Sequence, residues 1–322
     1  MKAAVVTAGR SDRGLLDILM AEMRRHGMPF CTIGVGEATD ADYVVDSLLV
    51  NDSPRAVAKS AGLVLHGIPD AYALARPDVV VVLGDRYETL AAVQAAHLMR
   101  IPIAHIHGGE RTTGSLDDRM RDAISMLATV HFAAHKEYAD RLVAMGVQGA
   151  VYDTGALALD DLRINAREPD GFFDEQRPMV LVSVPEGLEV AEAIDAALQR
   201  VAYRTCFWLP PNADAGRTAL SMYANTESLS RERYLQFLAA ADVAVGNSSS
   251  LIYEAHAVGT PAVLVGDRQE GRVLPDSVVR VAVDPPAIAA AIVAAMESEV
   301  GRTSPFGDGH AAERMVSVLC AL

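Results

Sequence analysis

The chain of 322 residues has few cysteines, a shortage of basic residues and no long apolar run, and each shortage excludes a class of protein. Its three cysteines, Cys31, Cys206 and Cys320, are odd in number and match neither a zinc-ligand spacing nor a disulfide framework. The formal net charge of −14 argues against a general nucleic-acid surface, because phosphate backbones require clustered lysine and arginine. No uninterrupted apolar stretch of about 18 residues is present, and the N-terminal MKAAVVTAGR lacks the apolar core of a signal peptide. We therefore expect a cytoplasmic protein.

Apolar residues are plentiful: they make up 51% of the sequence, against 22% charged residues, which is enough for a large core in two domains. Short apolar segments alternate with segments of helical spacing along most of the chain. This alternation predicts successive β-α-β units and therefore an α/β fold with parallel sheets. A polar stretch at 160–177, rich in turn-forming residues, is the predicted connection between two such halves.

The most informative stretch is 79–127, where two apolar runs each end in charged residues. Val79–Leu83 and Ile101–Ile106 are too short for helices and too apolar to be half exposed, so we interpret them as strands covered on both faces. Ligands of doubly wound sheets bind beyond the carboxyl ends of the strands, which makes the polar residues that follow a candidate active site. These residues are Asp85, Arg86, Glu88, His105, His107, Glu110, Arg111, Asp117, Asp118 and Arg121.

Two of these carboxylates follow the strands directly. Asp85 could merely cap the helix that begins near Glu88, but a carboxylate held at the end of a buried strand is where pKa values are tuned, so we favour a catalytic role. Glu110 comes after Gly108-Gly109, a pair that lets the backbone approach a ligand closely. A solvated surface position explains Glu110 poorly.

The third carboxylate is one of two neighbours on a predicted helix. Asp117 and Asp118 could simply favour the positive start of that helix, which is worth about 0.3–1 kcal/mol for each. Asp117 shares a face with Ile124 and other apolar residues, so helical spacing predicts Asp117 as the inward residue. Which of the two is catalytic stays open.

The two histidines of the second strand alternate along it, so His105 and His107 point to opposite faces unless one leaves the strand early. Opposite faces exclude a shared metal ion, and no third ligand at suitable spacing accompanies them. We expect one packed structural histidine and one that lines the site. Arg86 could contact the substrate, whereas Arg111 could equally be solvated.

Two strand-to-helix turns predict anion sites. The first runs from Gly9 to Gly14, where backbone N–H groups and Arg10 could bind a phosphate, although Ser11 or Asp12 could instead be an ordinary helix cap. The second is Ser248–Ser250, whose hydroxyls and N–H groups suit a pyrophosphate; ordinary serine capping is again the alternative. Asn247 and Glu254 extend this second pattern beyond a cap.

Taken together, these motifs resemble the hydrolysing UDP-N-acetylglucosamine 2-epimerases of the sialic-acid pathway. The central matches are GDRYE at 84–88, IPIAHIHGGE at 101–110 and DDRMRDAI at 117–124. Further matches are TAGRSDRGLL at 7–16, PNADAG at 211–216, GNSSSLIYEA at 246–255 and GTPAVLVGDRQEGR at 259–272. Their order across most of the chain makes the resemblance far more specific than any single motif.

The resemblance implies a GT-B fold, which consists of two Rossmann-like doubly wound parallel-sheet domains with an interdomain cleft. Residues 1–160 would carry the catalytic carboxylates, 161–300 would bind UDP, and 301–322 would pack back on the first domain. The implied reaction is anti elimination of UDP from a UDP-HexNAc, followed by hydration of a 2-acetamidoglucal to a ManNAc-type sugar. It needs no metal ion and no nicotinamide. The implied partner is a UDP-sugar, and the implied assembly is a homodimer or homotetramer.

The resemblance also assigns roles to residues. Asp85, Glu110 and one of Asp117 and Asp118 would be the acid and base groups. The substrate and UDP would contact Arg10, Arg86, His107, Asn212, Asn247, Ser248, Ser249, Ser250, Glu254, Arg268 and Arg272, with Glu254 on the ribose hydroxyls.

Two departures from the family pattern keep other functions open. Val184-Pro185 stands where these enzymes usually have His-Pro, and Ile33–Gly36 stands where they carry a Gly-Met-His-Leu-type segment. The alternatives are a non-hydrolysing 2-epimerase, a GT-B glycosyltransferase and an inactive sugar-nucleotide binder. The sequence also leaves open whether the sugar is plain, deoxy or diamino.

Overall fold

The computed structural model of the chain describes residues 1–47, 49, 53–113, 115–162, 179–185, 187–202, 205–209, 222–223, 229–301 and 304–322. The chain divides into two units, one formed by Met1–Asp160 with Phe306–Leu322 and the other by Asp161–Pro305. Each unit is built on a parallel sheet with helices, so the predicted α/β fold with two such domains is confirmed.

The first unit contains a sheet of seven parallel strands. They are β1 Ala3–Thr7, β2 Phe30–Gly34, β3 Tyr43–Val44, β4 Val79–Leu83, β5 Ile103–Ile106, β6 Val130–Ala133 and β7 Ala150–Asp153. Their order in the sheet is β3-β2-β1-β4-β5-β6-β7, and every neighbouring pair is parallel. The helices between them are α1 Arg10–Arg25, α2 Pro54–Ala75, α3 Tyr87–Leu98, α4 Asp117–Leu127 and α5 Lys136–Met145.

The second unit contains a smaller parallel sheet. Its strands are β8 Met179–Ser183, β9 Thr205–Trp208, β10 Val243–Gly246, β11 Ala262–Val265 and β12 Val278–Val281, in the order β12-β11-β10-β8-β9. Its helices are α6 Leu188–Leu198, α7 Arg231–Ala240, α8 Ser250–Val258 and α9 Pro285–Met296. Val180, Val245 and Ile292 are among the fully buried residues of its core.

Strand β4 explains why an uninterrupted apolar run belongs at the centre of a parallel sheet. Val80 and Val82 pack into a core with helices α2 and α3, whereas Val79, Val81 and Leu83 pack into a second core with α1. Successive side chains of a strand point to opposite faces, so a strand covered on both faces needs apolar residues at every position.

The last helix, α10 Ala311–Ala321, belongs to the first unit. The backbone N–H groups of Ala311 and Ala312 donate to the carboxylate of Asp160 at 2.9 and 2.6 Å, which stabilises the positive start of the helix. Further along, Met315 and Val316 are fully buried in the same core as α1. None of the helices in the described part of the chain is long and apolar enough to span a membrane.

The region 29–68 differs most from the sequence prediction. Its sequence is weakly patterned and predicts one helical piece, Pro54–Ala61, but in the structure helix α2 continues to Ala75 and the strands β2 and β3 precede it. Strand β2 has a polar residue at its centre, Thr32, whose backbone N–H and hydroxyl both bond to Asp42 at 2.8 and 3.0 Å. That partner comes from ten residues away, which a pattern of apolar residues does not reveal.

Candidate active site

A buried arginine contacts the three segments that carry the predicted catalytic carboxylates. Arg121 of α4 is 1% exposed, and its guanidinium forms an ion pair with Asp85, in the turn after β4. Its Nη1 donates to the backbone oxygen of Glu110 at 3.0 Å and to Thr112 Oγ1 at 3.2 Å, and it lies 3.5 Å from Asp118 Oδ1. One cation therefore draws together the turn after β4, the turn after β5 and the start of α4.

Asp118, rather than Asp117, is the inward carboxylate of α4, so the prediction from helical spacing is wrong on this point. Asp118 is 8% exposed; its Oδ1 accepts the backbone N–H of Thr112 at 2.6 Å, and its Oδ2 lies 3.3 Å from Arg111 Nε. Asp117 is half-buried. The buried face of this helix includes Arg121. A prediction from the spacing of apolar residues assigns an arginine to the exposed face and therefore places the wrong aspartate inward.

Glu110 is buried beside His107. The backbone leaves β5 at His107 in the left-handed conformation, with φ 64°, and this turn brings the ring to the glutamate. His107 Nδ1 lies 2.6 Å from Glu110 Oε1. Because an ionised carboxylate only accepts hydrogen bonds, the Nδ1–H group of His107 donates. The imidazole therefore fixes the position of the Glu110 side chain.

His105 is the packed histidine of the pair and joins two parts of the site. Its ring is fully buried, with Nε2 2.8 Å from the carbonyl oxygen of Gly84 and Nδ1 3.1 Å from Ser125 Oγ. A carbonyl only accepts, so Nε2–H donates to it and Nδ1 accepts from the serine hydroxyl. Burial lowers the pKa of His105 to about 4. The neutral ring thus ties the Gly84 turn, next to Asp85, to helix α4.

The protein's own packing accounts for Gly108-Gly109. Gly109 has φ 81°, and a Cβ atom at this position would lie 2.2 Å from the backbone oxygen of Tyr138 in α5. A Cβ at Gly108 would lie 3.0 Å from both His105 Nδ1 and Ser125 Oγ. Neither contact involves a ligand, so these glycines are required by the approach of α4 and α5, beside any role in ligand approach.

Arg86 is paired with a buried carboxylate that the sequence interpretation left without a role. Its Nε and Nη2 donate to the two oxygens of Glu88 at 3.2 and 3.0 Å. Glu88 in turn lies under Gly36, where a Cβ would come within 2.9 Å of Glu88 Oε1. This pair therefore occupies the end of β2, where the sequence departs from the family pattern.

In the second unit, the serine-rich turn follows β10. Gly246 has φ 149°, and a Cβ there would lie 1.9 Å from the backbone oxygen of Ser183, so only glycine fits. Ser248 Oγ and Ser250 Oγ lie 3.1 Å apart, and the hydroxyl of Tyr234 in α7 donates to Ser250 Oγ at 2.5 Å. Ser249, at the N-cap of α8, forms no side-chain cap bond. The Ser248 hydroxyl instead accepts the backbone N–H of Ser250 at 3.4 Å, so a side-chain bond to the helix start accounts for one of the three serines.

Glu254 lies one turn into α8, is 3% exposed, and is paired with an arginine. Its Oε1 accepts from Arg231 Nη1 at 2.7 Å, while Arg231 Nε and Nη2 donate to the carboxylate of Asp161 at 2.6 and 3.0 Å. Burial raises the pKa of Glu254, and the neighbouring guanidinium opposes that rise. Sequence reasoning missed Arg231 and Asp161 because neither belongs to a recognised motif.

Two of the predicted cations lie close to this turn. Arg268 Nη1 and Gln269 Nε2 both donate to the backbone oxygen of Asn247, at 3.2 and 3.0 Å. The guanidinium of Arg272 lies over the ring of Tyr253, 5.4 Å from its centroid. The structure thus brings Asn247, Arg268 and Arg272 to the same part of the second unit as the start of α8.

Comparison with known proteins identifies the family of the chain. A model of the family described as UDP-N-acetylglucosamine 2-epimerase matches residues 13–320. The chain belongs to the UDP-N-acetylglucosamine 2-epimerase family. It is 33% identical to the UDP-N,N'-diacetylbacillosamine 2-epimerase (hydrolyzing) of Legionella pneumophila, over 99% of this chain and 95% of that protein. It is 29% identical to the GDP/UDP-N,N'-diacetylbacillosamine 2-epimerase (hydrolyzing) of Campylobacter jejuni, over 72% and 67% of the two chains.

A solved structure supports the same family fold. The UDP-GlcNAc 2-epimerase of Neisseria meningitidis, bound to UDP-GlcNAc, superimposes with a TM-score of 0.83 at 17% identity and covers 100% of both chains. The GT-B type of fold expected from the sequence motifs of this epimerase family is thereby confirmed.

Three further features of this epimerase bear on the predicted site. Asn212 and the side chain of Arg10 lie outside the described residues. Val184, which replaces the usual histidine, is buried in the apolar core of the second unit and offers no polar group. In the described part of the chain, no group of three or more histidine, cysteine, aspartate or glutamate residues is arranged to hold a metal ion.

Proposed function

We propose that this epimerase is hydrolysing and acts on a UDP-linked 2-acetamido sugar, with UDP-N,N'-diacetylbacillosamine as the first candidate substrate. The observation that carries the proposal is that one buried arginine, beyond the carboxyl ends of β4 and β5, contacts the carboxylates of Asp85 and Asp118 and the backbone of Glu110. The identity of 33% to a hydrolysing relative, over 99% of the chain, supports the choice of sugar.

In the proposed reaction a carboxylate first takes the proton from C2 of the sugar. The C1–O bond to UDP breaks, its electron pair leaves with the diphosphate, and a C1–C2 double bond forms. Water then adds its hydroxyl at C1, and a proton reaches C2 from the opposite face, which inverts C2 and releases the free sugar. Asp85 and Glu110 are the proposed acid and base groups because each follows a buried strand, at the edge of the sheet where ligands of doubly wound folds bind.

His107 is proposed to hold Glu110 ready for this role, since its N–H bond fixes one carboxylate oxygen. Asp118 has protein partners on both of its oxygens. We therefore propose Asp118 as a residue that positions the others, and Asp117, which is half-buried at the start of α4, as the third group facing the substrate.

The second unit is proposed to bind UDP. Hydroxyl and N–H groups at the start of α8 suit the diphosphate, Arg268 and Arg272 supply positive charge, and Glu254 would accept from the ribose hydroxyls. Because Val184 cannot assist the departing diphosphate, Arg272 or Arg10 would take over this contact. A substrate that carries a modified sugar in place of N-acetylglucosamine would also be consistent with valine at this position.

The experiment is to incubate the purified protein with UDP-N,N'-diacetylbacillosamine or UDP-GlcNAc in D₂O, without an acceptor, and to follow C2 by NMR. We expect UDP and the free 2-epimer carrying one deuterium at C2, formed faster from the diacetamido substrate. A product that retains UDP would identify a non-hydrolysing epimerase. A requirement for an acceptor would identify a glycosyltransferase, and UDP binding with no turnover of any UDP-HexNAc would identify an inactive binder.

A further inference from the structure

We propose that Arg231, held in place by Asp161, positions the Glu254 carboxylate and thereby sets how strongly the protein prefers a ribonucleotide over a 2'-deoxyribonucleotide. This inference rests on the proposed function, in which Glu254 accepts from the ribose of UDP. It adds two residues that lie outside the recognised sequence motifs of the family.

Arg231 is well suited to hold a carboxylate in one orientation. It is the first residue of α7, and the helix start is fixed by Ser230, whose hydroxyl accepts the backbone N–H of Arg233 at 3.2 Å. The guanidinium binds Asp161 through two parallel bonds of 2.6 and 3.0 Å, which leaves its orientation little freedom. Its remaining edge donates to Glu254 Oε1 at 2.7 Å.

Glu254 is held through one oxygen only. Oε1 accepts from Arg231, whereas Oε2 is buried and has no hydrogen-bond partner among the described residues. The large majority of buried side-chain polar atoms in folded proteins have a hydrogen-bond partner, so Oε2 is an exception to be explained. This difference between the two oxygens is expected for a carboxylate whose Oε1 is fixed by the protein and whose Oε2 accepts a hydrogen bond from a ligand.

The same helix supports a second predicted ligand-binding residue. Tyr234 follows Arg231 by three residues, so it lies on the same side of α7, and its hydroxyl donates to Ser250 Oγ at 2.5 Å. Helix α7 therefore contacts the two residues within α8 that are proposed to bind the nucleotide, Ser250 and Glu254. This arrangement is expected for a helix that orients side chains for binding.

The test measures binding of UDP and of 2'-deoxy-UDP by calorimetry. Because a hydrogen bond to a charged group contributes substantially, we expect the wild-type protein to prefer UDP by about tenfold or more. Arg231→Met should reduce the preference to within about threefold, and Arg231→Lys should restore part of it, since lysine keeps the charge without the planar fork. Arg233→Met, on the same helix, is the matched control and should keep the wild-type preference.

A double variant distinguishes positioning from general destabilisation. Glu254→Gln alone should lower the preference, and adding Arg231→Met should lower it no further, because both changes act on one contact. An unchanged ratio of the two affinities in Arg231→Met, with both affinities weakened equally, would overturn this inference alone. If Arg231→Met does not fold, Asp161→Asn and Arg231→Lys give the same comparison. A wild-type protein that binds no UDP would overturn the proposed function, and this inference with it.

Discussion

The pH dependence of stability provides a direct test of the His105 network. The ring donates to the carbonyl of Gly84, accepts from Ser125 and is fully buried, so the folded protein holds it neutral. The perturbation is acidification from pH 7.5 to pH 4, with His105→Gln as the matched variant. Glutamine keeps an N–H donor at about the position of Nε2 and cannot be protonated in this range.

The magnitude follows from the two pKa values of His105, about 4 in the folded protein and 6.5 in the unfolded chain. Because the folded pKa is lower, the unfolded chain takes up the proton first, and stability is full above pH 6.5 and falls as the pH drops toward 4. At about 1.4 kcal/mol for each pH unit, the loss attributable to this ring approaches about 3 kcal/mol at pH 4.

The assay is urea unfolding of both proteins at several pH values, with the free energy of unfolding obtained by linear extrapolation. Burial also lowers the pKa of His131, and that contribution is common to both proteins. The difference between them therefore isolates His105. We expect the wild-type curve to fall more steeply than the variant curve below pH 6.5, by up to about 3 kcal/mol in total. Parallel curves would refute the conclusion that a neutral, buried His105 joins the Gly84 turn to α4.

Three sets of substitutions test other parts of the protein. Arg121→Met should lower stability by about 3–5 kcal/mol and abolish epimerase turnover, because it removes the buried cation that contacts Asp85 and Asp118. Wild-type melting and activity would contradict the central role of Arg121. Asp118→Asn should destabilise the protein by about 1–3 kcal/mol, whereas Asp117→Asn should change stability by less than about 1 kcal/mol yet reduce turnover. Thermal denaturation measures the stability and the NMR assay measures the turnover. Equal losses of stability would contradict the proposal that Asp118 positions the other groups and Asp117 faces the substrate. Gly109→Ala should destabilise the protein because its Cβ would meet the Tyr138 carbonyl, while Gly62→Ala, which has open space within a helix, should stabilise it by about 0.5–1 kcal/mol. Urea unfolding measures both changes, and a Gly109→Ala protein more stable than the Gly62→Ala protein would contradict the packing.

The sequence predicts the central strands well because their apolar runs reflect burial on both faces. Val79–Leu83 matches the predicted strand residue for residue, and the observed strand Ile103–Ile106 lies within the predicted Ile101–Ile106. Strand β12, Val278–Val281, was not predicted because it lies at the edge of its sheet and two of its four residues are exposed. Hydrophobic periodicity identifies strands through burial, so an edge strand with an exposed face gives little signal.

The site is less predictable because its central residues are buried polar groups. Residue type and spacing indicate that Asp85 and Glu110 follow buried strands, but they do not reveal that Arg121 contacts both segments. Arginine is rarely buried unless it is paired, and the pairing partner here is 36 residues away in sequence. The same limitation produced the wrong prediction that Asp117, rather than Asp118, is the inward residue of α4.

Each unit places one arginine between two carboxylates: Arg121 is buried, whereas the side chain of Arg231 is 24% exposed. Arg121 contacts Asp85 and Asp118, and Arg231 contacts Asp161 and Glu254. A guanidinium carries one positive charge, so by itself it cannot neutralise two carboxylates. Removing Arg231 leaves Asp161 and Glu254 without their shared cation, and removing Arg121 leaves Asp85 without its cation and Asp118 with only the exposed Arg111. Removing one carboxylate from either group leaves an arginine with a carboxylate partner. Substitution of the arginines should therefore destabilise the protein more than substitution of Asp118 or Glu254, which makes the amide variants of these carboxylates the better probes of function.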